Sequence, residues 1–260
     1  MIERRGFALL AVLWVVAALT AMVGLGLGAL RIGAQGSANR LQLTRGRWAA
    51  EACLAVAAAR WAGHRFTDTA AVDLGRQTRC AWRADDPTAR LNVNTAAPAV
   101  LYALARQVGS PPPVIDTLLA HRPFEDTAQV RAEVKADSPL LAVLTTDGPG
   151  SINLNNALPA IVMSIPGLGA EAVEQLTRYR QLGRPISSLD QLTSLVAGTR
   201  PELLAHYADV ASLVTFAPPQ LLITAFGWVG ERGPQGLHAT IEILTVPLPD
   251  RLAVIRRRLW

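Results

Sequence analysis

Lysine is all but missing: of the 25 basic residues only Lys135 is a lysine, and the rest are arginine. Against 20 acidic residues the formal net charge is +5, or +4 without Glu3, Arg4 and Arg5. That mild balance gives little for nucleic-acid binding, which rests on neutralising phosphates. Histidine is confined to His64, His121, His206 and His238, no two at a ligand-like spacing. There is no Gly-X-Ser-X-Gly elbow, no phosphate loop and no zinc-protease motif, so no catalytic constellation emerges and the chain is not read as an enzyme. Cysteine is limited to Cys53 and Cys80, which have no zinc-site spacing. The pair can form one disulfide in an oxidising compartment or remain two buried thiols, because sequence does not set their separation.

What the chain has in quantity is apolar residues, 50% of the total. A charged leader, Met1-Ile2-Glu3-Arg4-Arg5-Gly6, abuts an uncharged run from Phe7 to Leu30. As a helix that run spans about 36 Å, enough to cross a ~30 Å hydrocarbon core with some tilt. A secretory signal has a shorter apolar core and a cleavage site after it. Here the natural processing point lies before the core, between Gly6 and Phe7, and the junction resembles a type IV prepilin-like leader. Arg4 and Arg5 hold the N-terminus on the cytoplasmic side and place the remainder across the membrane.

The helical signal continues after Arg31, past a glycine-rich patch that spans the boundary (Gly24, Gly26, Gly28, Gly33, Gly36), where the helix should bend or fray most easily. From Ser37 to about Ala62, Leu41, Trp48, Ala52, Val56 and Ala59 recur at helical spacing, predicting one long helix packed on a soluble head, with Trp14, Trp48 and Trp61 along it read as packing or interface anchors. A polar connection from His64 to Gly75 follows, then a strand near Gln77–Arg83. Short helices and turns run from Asp85 to about Ala208. Strands are expected at Leu221–Val229, Leu237–Val246 and Leu252–Leu259, the first two joined by a Gly- and Pro-containing loop. Sheet pieces flanking a helical insert predict an α+β fold.

The insert is duplicated. Leu91-Asn92-Val93-Asn94-Thr95-Ala96 answers Ile152-Asn153-Leu154-Asn155-Asn156-Ala157, and Arg122-Pro123-Phe124 with Gln129 answers Arg184-Pro185-Ile186 with Gln191. The Asn-rich turns are expected to cap the helices after them, with Pro98 and Pro159 in the first turns. In the second module Ile165-Pro166-Gly167-Leu168-Gly169, followed by a helix over Ala170–Arg180, resembles a helix-hairpin-helix. Such hairpins often grip phosphate through backbone N–H groups at a helix N-terminus. Here Glu171 and Glu174 put negative charge on that turn, and Pro111-Pro112-Pro113 replaces it in the first module, where proline has no N–H to offer. Both hairpins are therefore read as packing devices. Arg256-Arg257-Arg258 is read as charge protecting a strand edge.

Leader, long helix, tandem Asn-X-Asn-[Thr/Asn]-Ala modules and β C-terminus together resemble the type II secretion minor pseudopilin K family (GspK) over essentially the whole chain. The resemblance implies a pilin-like α+β fold: a long N-terminal transmembrane/amphipathic helix on a small antiparallel sheet, interrupted by an all-α insert of two tandem helix-hairpin-helix/SAM-like modules. The corresponding division is a leader 1–6, a membrane helix 7–30, a head formed by 31–86 and 209–260, and an insert 87–208 with modules 87–147 and 148–208. It further implies cleavage by a prepilin peptidase between Gly6 and Phe7 and N-methylation of Phe7. The implied place is the tip of a pseudopilus, in the bacterial inner membrane with a periplasmic head, beside the minor pseudopilins GspH, GspI and GspJ and the major pseudopilin. The role is assembly and export, without turnover of a substrate and without nucleic acid. Most pilin-like proteins carry a glutamate at the fifth mature position; here it is Ala11. A carboxylate at that depth is costly unless paired, so a subunit with nothing above it does better without one. Calcium is the family's other implication, with Asp85, Asp86 and Asp147 as candidates beside Asp126 and Asp137. No EF-hand-like loop is present, and as residues these read as turn and cap positions on a solvated face. The alternative of another class is a membrane-anchored helix-hairpin-helix DNA receptor of the competence type.

Overall fold

A computed structural model describes residues 3–64, 66–67, 69–231 and 233–259; the side chains of residues 3–11 and of Pro234 lie outside it. The chain begins with one 60-residue helix, α1 (Glu3–Ala62), about 90 Å long at 1.5 Å per residue. It runs unbroken through the glycines from Gly24 to Gly36, where a Cβ would meet nothing within 4 Å. Strands β1 (Thr69–Gly75) and β2 (Thr78–Asp85) follow. The insert then comprises β3 (Leu91–Asn92), α2 (Pro98–Val108), α3 (Pro112–Ala120), α4 (Thr127–Glu133), α5 (Leu140–Val143) and β4 (Leu144–Thr145). Its second half holds β5 (Ile152–Asn153), α6 (Pro159–Val162), α7 (Ala170–Gln181), α8 (Leu189–Leu195), α9 (Arg200–Ala205), α10 (Tyr207–Leu213) and β6 (Val214–Thr215). The chain closes with β7 (Leu221–Val229), β8 (His238–Pro247) and β9 (Leu252–Leu259).

The main sheet is antiparallel in the order β1-β2-β7-β8-β9. The insert leaves after β2 and returns at β7, and these two strands are hydrogen-bonded neighbours from Thr78↔Val229 to Asp85↔Leu222. A long excursion therefore begins and ends at the same end of one ladder. The fold is α+β, with a long apolar N-terminal helix packed on an antiparallel sheet.

In the head two expectations need correction. The connection from His64 to Gly75 contains a strand, because Thr69–Gly75 pairs along β2 even though most of its residues are exposed. The buried stripe of α1 is also displaced from the one read in the sequence. Ala49, Ala50, Cys53 and Ala57 are 0–2% exposed, whereas Leu41 is 54% and Trp48 is 71% exposed. Small residues face the sheet because the helix lies almost at backbone contact with it. A Cβ on Gly46 would sit 2.7 Å from the Gly227 carbonyl oxygen, and one on Gly227 2.9 Å from Ala49 Cβ and nearer still to the Gly46 carbonyl and Ala50 nitrogen.

Two separate apolar cores result. The head core joins the α1 stripe to Cys80, Trp82, Ile223, Ala225, Ile241 and Ile243. Cys53 and Cys80 form a disulfide with a Cα–Cα distance of 5.9 Å, joining α1 to β2. Trp61 Nε1 donates to the Leu248 carbonyl at 2.6 Å, and Arg60 stacks 5.0 Å over the Trp82 ring. The second core runs continuously through both halves of the insert, from Leu91 to Val210.

The halves of the insert share the same clamp and the same helix cap. Asn94 Nδ2 donates to the Phe124 carbonyl and its Oδ1 accepts from Phe124 N, both at 2.8 Å. Asn155 does the same with Ile186, at 2.7 and 3.0 Å. Asp126 and Ser188 cap α4 and α8 by accepting from Gln129 N and Gln191 N, while each Gln Oε1 accepts from a backbone N–H four residues earlier. These are variants of the capping box, in which the third helical residue, a glutamine, reaches the N–H one residue before the cap rather than that of the cap itself. Each half also closes with a two-residue parallel pair, β3 with β4 and β5 with β6, so the insert is helical with two short strand clasps rather than purely helical. The second clasp, at Val214–Thr215, lies past residue 208. The expected role of the asparagines also changes. Asn92 and Asn153 do bond nearby backbone, accepting from Asn94 N and Asn155 N two residues on, but α2 and α6 follow the N-cap residues Ala97 and Leu158 without a side-chain cap bond, and Asn94 and Asn155 pin distant loops.

Candidate assembly surface

The free half of α1 is an extended exposed apolar surface. From Val12 to Ile32 its bulky apolar side chains are 55–76% exposed, and its most apolar window has a mean hydropathy of 2.1 with nothing of the protein covering it. Water disfavours such a surface; lipid or a bundle of similar helices does not. The one polar hydroxyl along this stretch, Thr20 Oγ1, donates to the Val16 carbonyl at 2.8 Å, so it needs no outside partner in an apolar medium. Gly6, Phe7 and Ala11 lie in the backbone of α1, and their surroundings fall outside the described side chains.

The hairpin in the second half of the insert is turned inward. Gly167 has a φ of +81°, and a Cβ there would lie 3.2 Å from the Glu202 carbonyl and from His206 Cβ, so the turn packs on α9. Glu171 carries the negative charge that the sequence placed on this turn, but it faces a nest of amides. Its carboxylate accepts from the backbone N–H groups of Ala197, Gly198 and Thr199 at 2.9–3.0 Å. The bonds from Thr199, Ala197 and Gly198 hold its pKa below the usual carboxylate range, against a smaller opposing effect of burial. The chain thus fills its own anion site. Arg180, at the far end of α7, donates to the Leu154 and Ala157 carbonyls, and Arg122 donates to the equivalent Ala96 carbonyl.

A carboxylate with a depressed pKa adds stability above the unfolded value of 4.5, and that contribution fades as the pH falls through the folded value. Glu171→Gln is accordingly expected to lower the melting temperature at pH 7 but much less at pH 3. Thermal melts of the full chain in detergent at both pH values check this.

The calcium candidates are engaged elsewhere. Asp85 pairs with Arg83 at 2.7 Å. Asp86 accepts from Thr88 N at 2.8 Å and from Asn153 and Asn156 at 2.7 and 2.9 Å, tying the end of β2 to the start of the second half of the insert. Asp147 is ion-paired with Arg256, its side chain only 6% exposed. Asp126 caps α4, and Asp137 is exposed. Asp85, Asp86, Asp126 and Asp147 do border one cleft of about 220 Å³ together with Glu242, but Arg83, Arg90 and Arg258 line it too. Among the described residues no group of three His, Cys, Asp or Glu is placed to hold a metal. Calcium wants on the order of 6–8 oxygens without competing cations, and this cleft does not fit it.

The arginine run on β9 does more than guard an edge. Arg256 and Arg258, on one face, reach Asp147, Glu242 and the Glu125 carbonyl, while Arg257 on the other pairs with Glu51 of α1. One strand thus ties the insert to the sheet and the sheet to the helix. Burial, and then the charge of Asp147, pushes the Glu242 carboxyl up, only partly offset by Arg258 and Arg256. Sequence reasoning misses the partners of Arg256 and Arg257 in the insert and α1 because they lie 109 and 206 positions away.

The fold so assembled is of the pilin-like α+β class. In particular, a chain of the GspK-GspI-GspJ complex from the type 2 secretion system of enterotoxigenic Escherichia coli shares it with a TM-score of 0.54 and 15% sequence identity, over 89% of this chain and 99% of that one. No family model matches the chain, and no curated protein matches it by sequence. At that identity the likeness is one of fold.

Proposed function

We propose that this chain is a minor pseudopilin of the K type, anchored in the bacterial inner membrane by residues 7–30 with its head and insert in the periplasm. The observation that carries the proposal is a single helix divided into two unlike halves: an exposed apolar half, and a Gly/Ala half pressed onto an antiparallel sheet whose middle strands bracket a wide insert. The first half suits a bundle of like helices in lipid. We take the bulk added by the insert, residues 87–208, to disfavour stacking between successive filament subunits, which favours the tip, as does Ala11 where a filament subunit would carry a carboxylate. GspI- and GspJ-like subunits are the proposed neighbours, by analogy with the complex that shares the fold. The role is structural: assembly of the fibre and export. The DNA-receptor alternative is weaker, because the one hairpin able to offer amides packs on α9 and Glu171 occupies the nearby nest.

Intact-mass and N-terminal sequencing of the membrane-extracted protein test this. A chain starting at N-methylated Phe7 is the expected outcome, with the leader 1–6 gone. An intact Met1 would mean a plain membrane anchor and end the pseudopilin reading.

A further inference from the structure

We infer that the groove between α1 and the β1–β2 hairpin is the docking site for an acidic segment of a neighbouring subunit; the inference rests on the pseudopilin reading and adds the chemistry of one contact. The groove, about 340 Å³, is lined by Arg45, Trp48 and Ala49 from the helix and by Leu74, Arg76 and Thr78 from the hairpin. Four observations meet there. Trp48 is 71% exposed, although it sits between the buried Gly46 and Ala49 on the same helix. A large amphipathic ring left in water at the wall of a concavity is the residue type that dominates protein interfaces.

The charge is one-sided. Arg45 and Arg76 have no carboxylate within 4.0 Å among the described residues, whereas Arg79 and Arg83 on the same hairpin pair with Asp73 and Asp85. Among the described residues no acidic side chain lines the groove. Two unneutralised guanidiniums flanking an indole select a carboxylate-bearing partner with an apolar side chain beside it.

The turn that presents Arg76 is strained. Arg76 and Gln77 adopt φ of 51° and 61°, a left-handed hairpin turn for which Asn-Gly is the favoured sequence. Such strain concentrates where a side chain must be aimed. Finally, the two walls are covalently joined: Cys53, five residues past Trp48, is bonded to Cys80, two residues past Thr78. A groove fixed in this way loses little freedom when filled.

Depth excludes the other common source of negative charge. With Leu30 at the membrane boundary, Arg45 lies 15 residues further along the helix, about 22 Å at 1.5 Å per residue. Headgroups extend only about 5–8 Å beyond the hydrocarbon. Lipid phosphate does not reach the groove, while a subunit whose own helix runs beside α1 does.

The test uses the full chain in membranes that contain the assembled fibre, with benzoylphenylalanine at position 48 as a photocrosslinker. Mass spectrometry is expected to map its adduct to an Asp- or Glu-bearing segment of another subunit. Arg45→Gln with Arg76→Gln should cut the adduct at least five-fold, and Arg→Lys at both positions should restore most of it, with melting temperature and cleavage before Phe7 unchanged. An adduct to lipid, to a second copy of this chain or to a segment without carboxylates overturns the inference, as does no adduct or one undiminished in the Gln variant. If the mature N-terminus and co-assembly persist while the groove fails, only this contact is lost. An intact Met1 in a chain isolated from all siblings would instead remove the reading beneath it.

Discussion

Gly227→Val is expected to destabilise the head by about 3 kcal/mol or more, near the upper end of the usual cost of overpacking. A Cβ on Gly227 would fall into the backbone of α1 at Gly46 and Ala50, and backbone cannot rotate aside as the end of a side chain does. Helix and sheet must separate, and with them the core built on Ala49, Ala50, Cys53 and Ala57. For a protein of this size the loss corresponds to a fall in melting temperature of about 10 °C. Gly36→Ala supplies the contrast: nothing lies within 4 Å of that position, so the exchange is expected to raise helix stability by up to about 1 kcal/mol. Circular-dichroism melts of both variants in detergent measure the pair. Equal and small effects would mean that the helix does not lie this close to the sheet.

Asn155→Ala is expected to have the second largest effect, about 3 kcal/mol and confined to the second half of the insert. Its amide holds three backbone groups: it donates to the Ile186 and Phe216 carbonyls, both at 2.7 Å, and accepts from Ile186 N at 3.0 Å. Removing it strands those groups in a partly buried site, each at about 1 kcal/mol or more. Asn94, which binds Phe124 alone, should cost less when replaced. Hydrogen exchange at the Ile186 amide reports the loss directly. Protection there should collapse in Asn155→Ala while that of Phe124 persists.

These two sites mark what residues reveal on their own and what they hide. The duplication is legible because asparagine at a fixed offset is a polar signal in an apolar stretch, and it coincides with the repeated clamps. Leu221–Val229 and Leu252–Leu259 are legible because apolar runs between turn formers read as strands at both positions. The packing face of α1 is not, because periodicity weighs bulky residues and this face is built of Gly and Ala. The same bias puts Leu41 and Trp48 on the packing stripe, when both are exposed; for Trp48 that leaves the other reading, an interface anchor. Strand β1 escapes because Thr69–Gly75 is alanine-rich and takes its structure from pairing with β2. The destination of Glu171 is likewise hidden. The sequence shows a charge on a turn, but the amides it meets lie 26 to 28 positions later.

The adjacency of β2 and β7 has a kinetic consequence. Asp85 and Leu222 pair across an excursion of more than a hundred residues, and closing a disordered loop of that length costs about 4 kcal/mol before any ladder bond forms. The insert has its own continuous core and can collapse first, bringing its two ends together as a folded clasp. Synthesis order agrees, since the insert is complete before β7 emerges. The expected order therefore zips the sheet last, by a strand arriving at a template whose gap has already been closed.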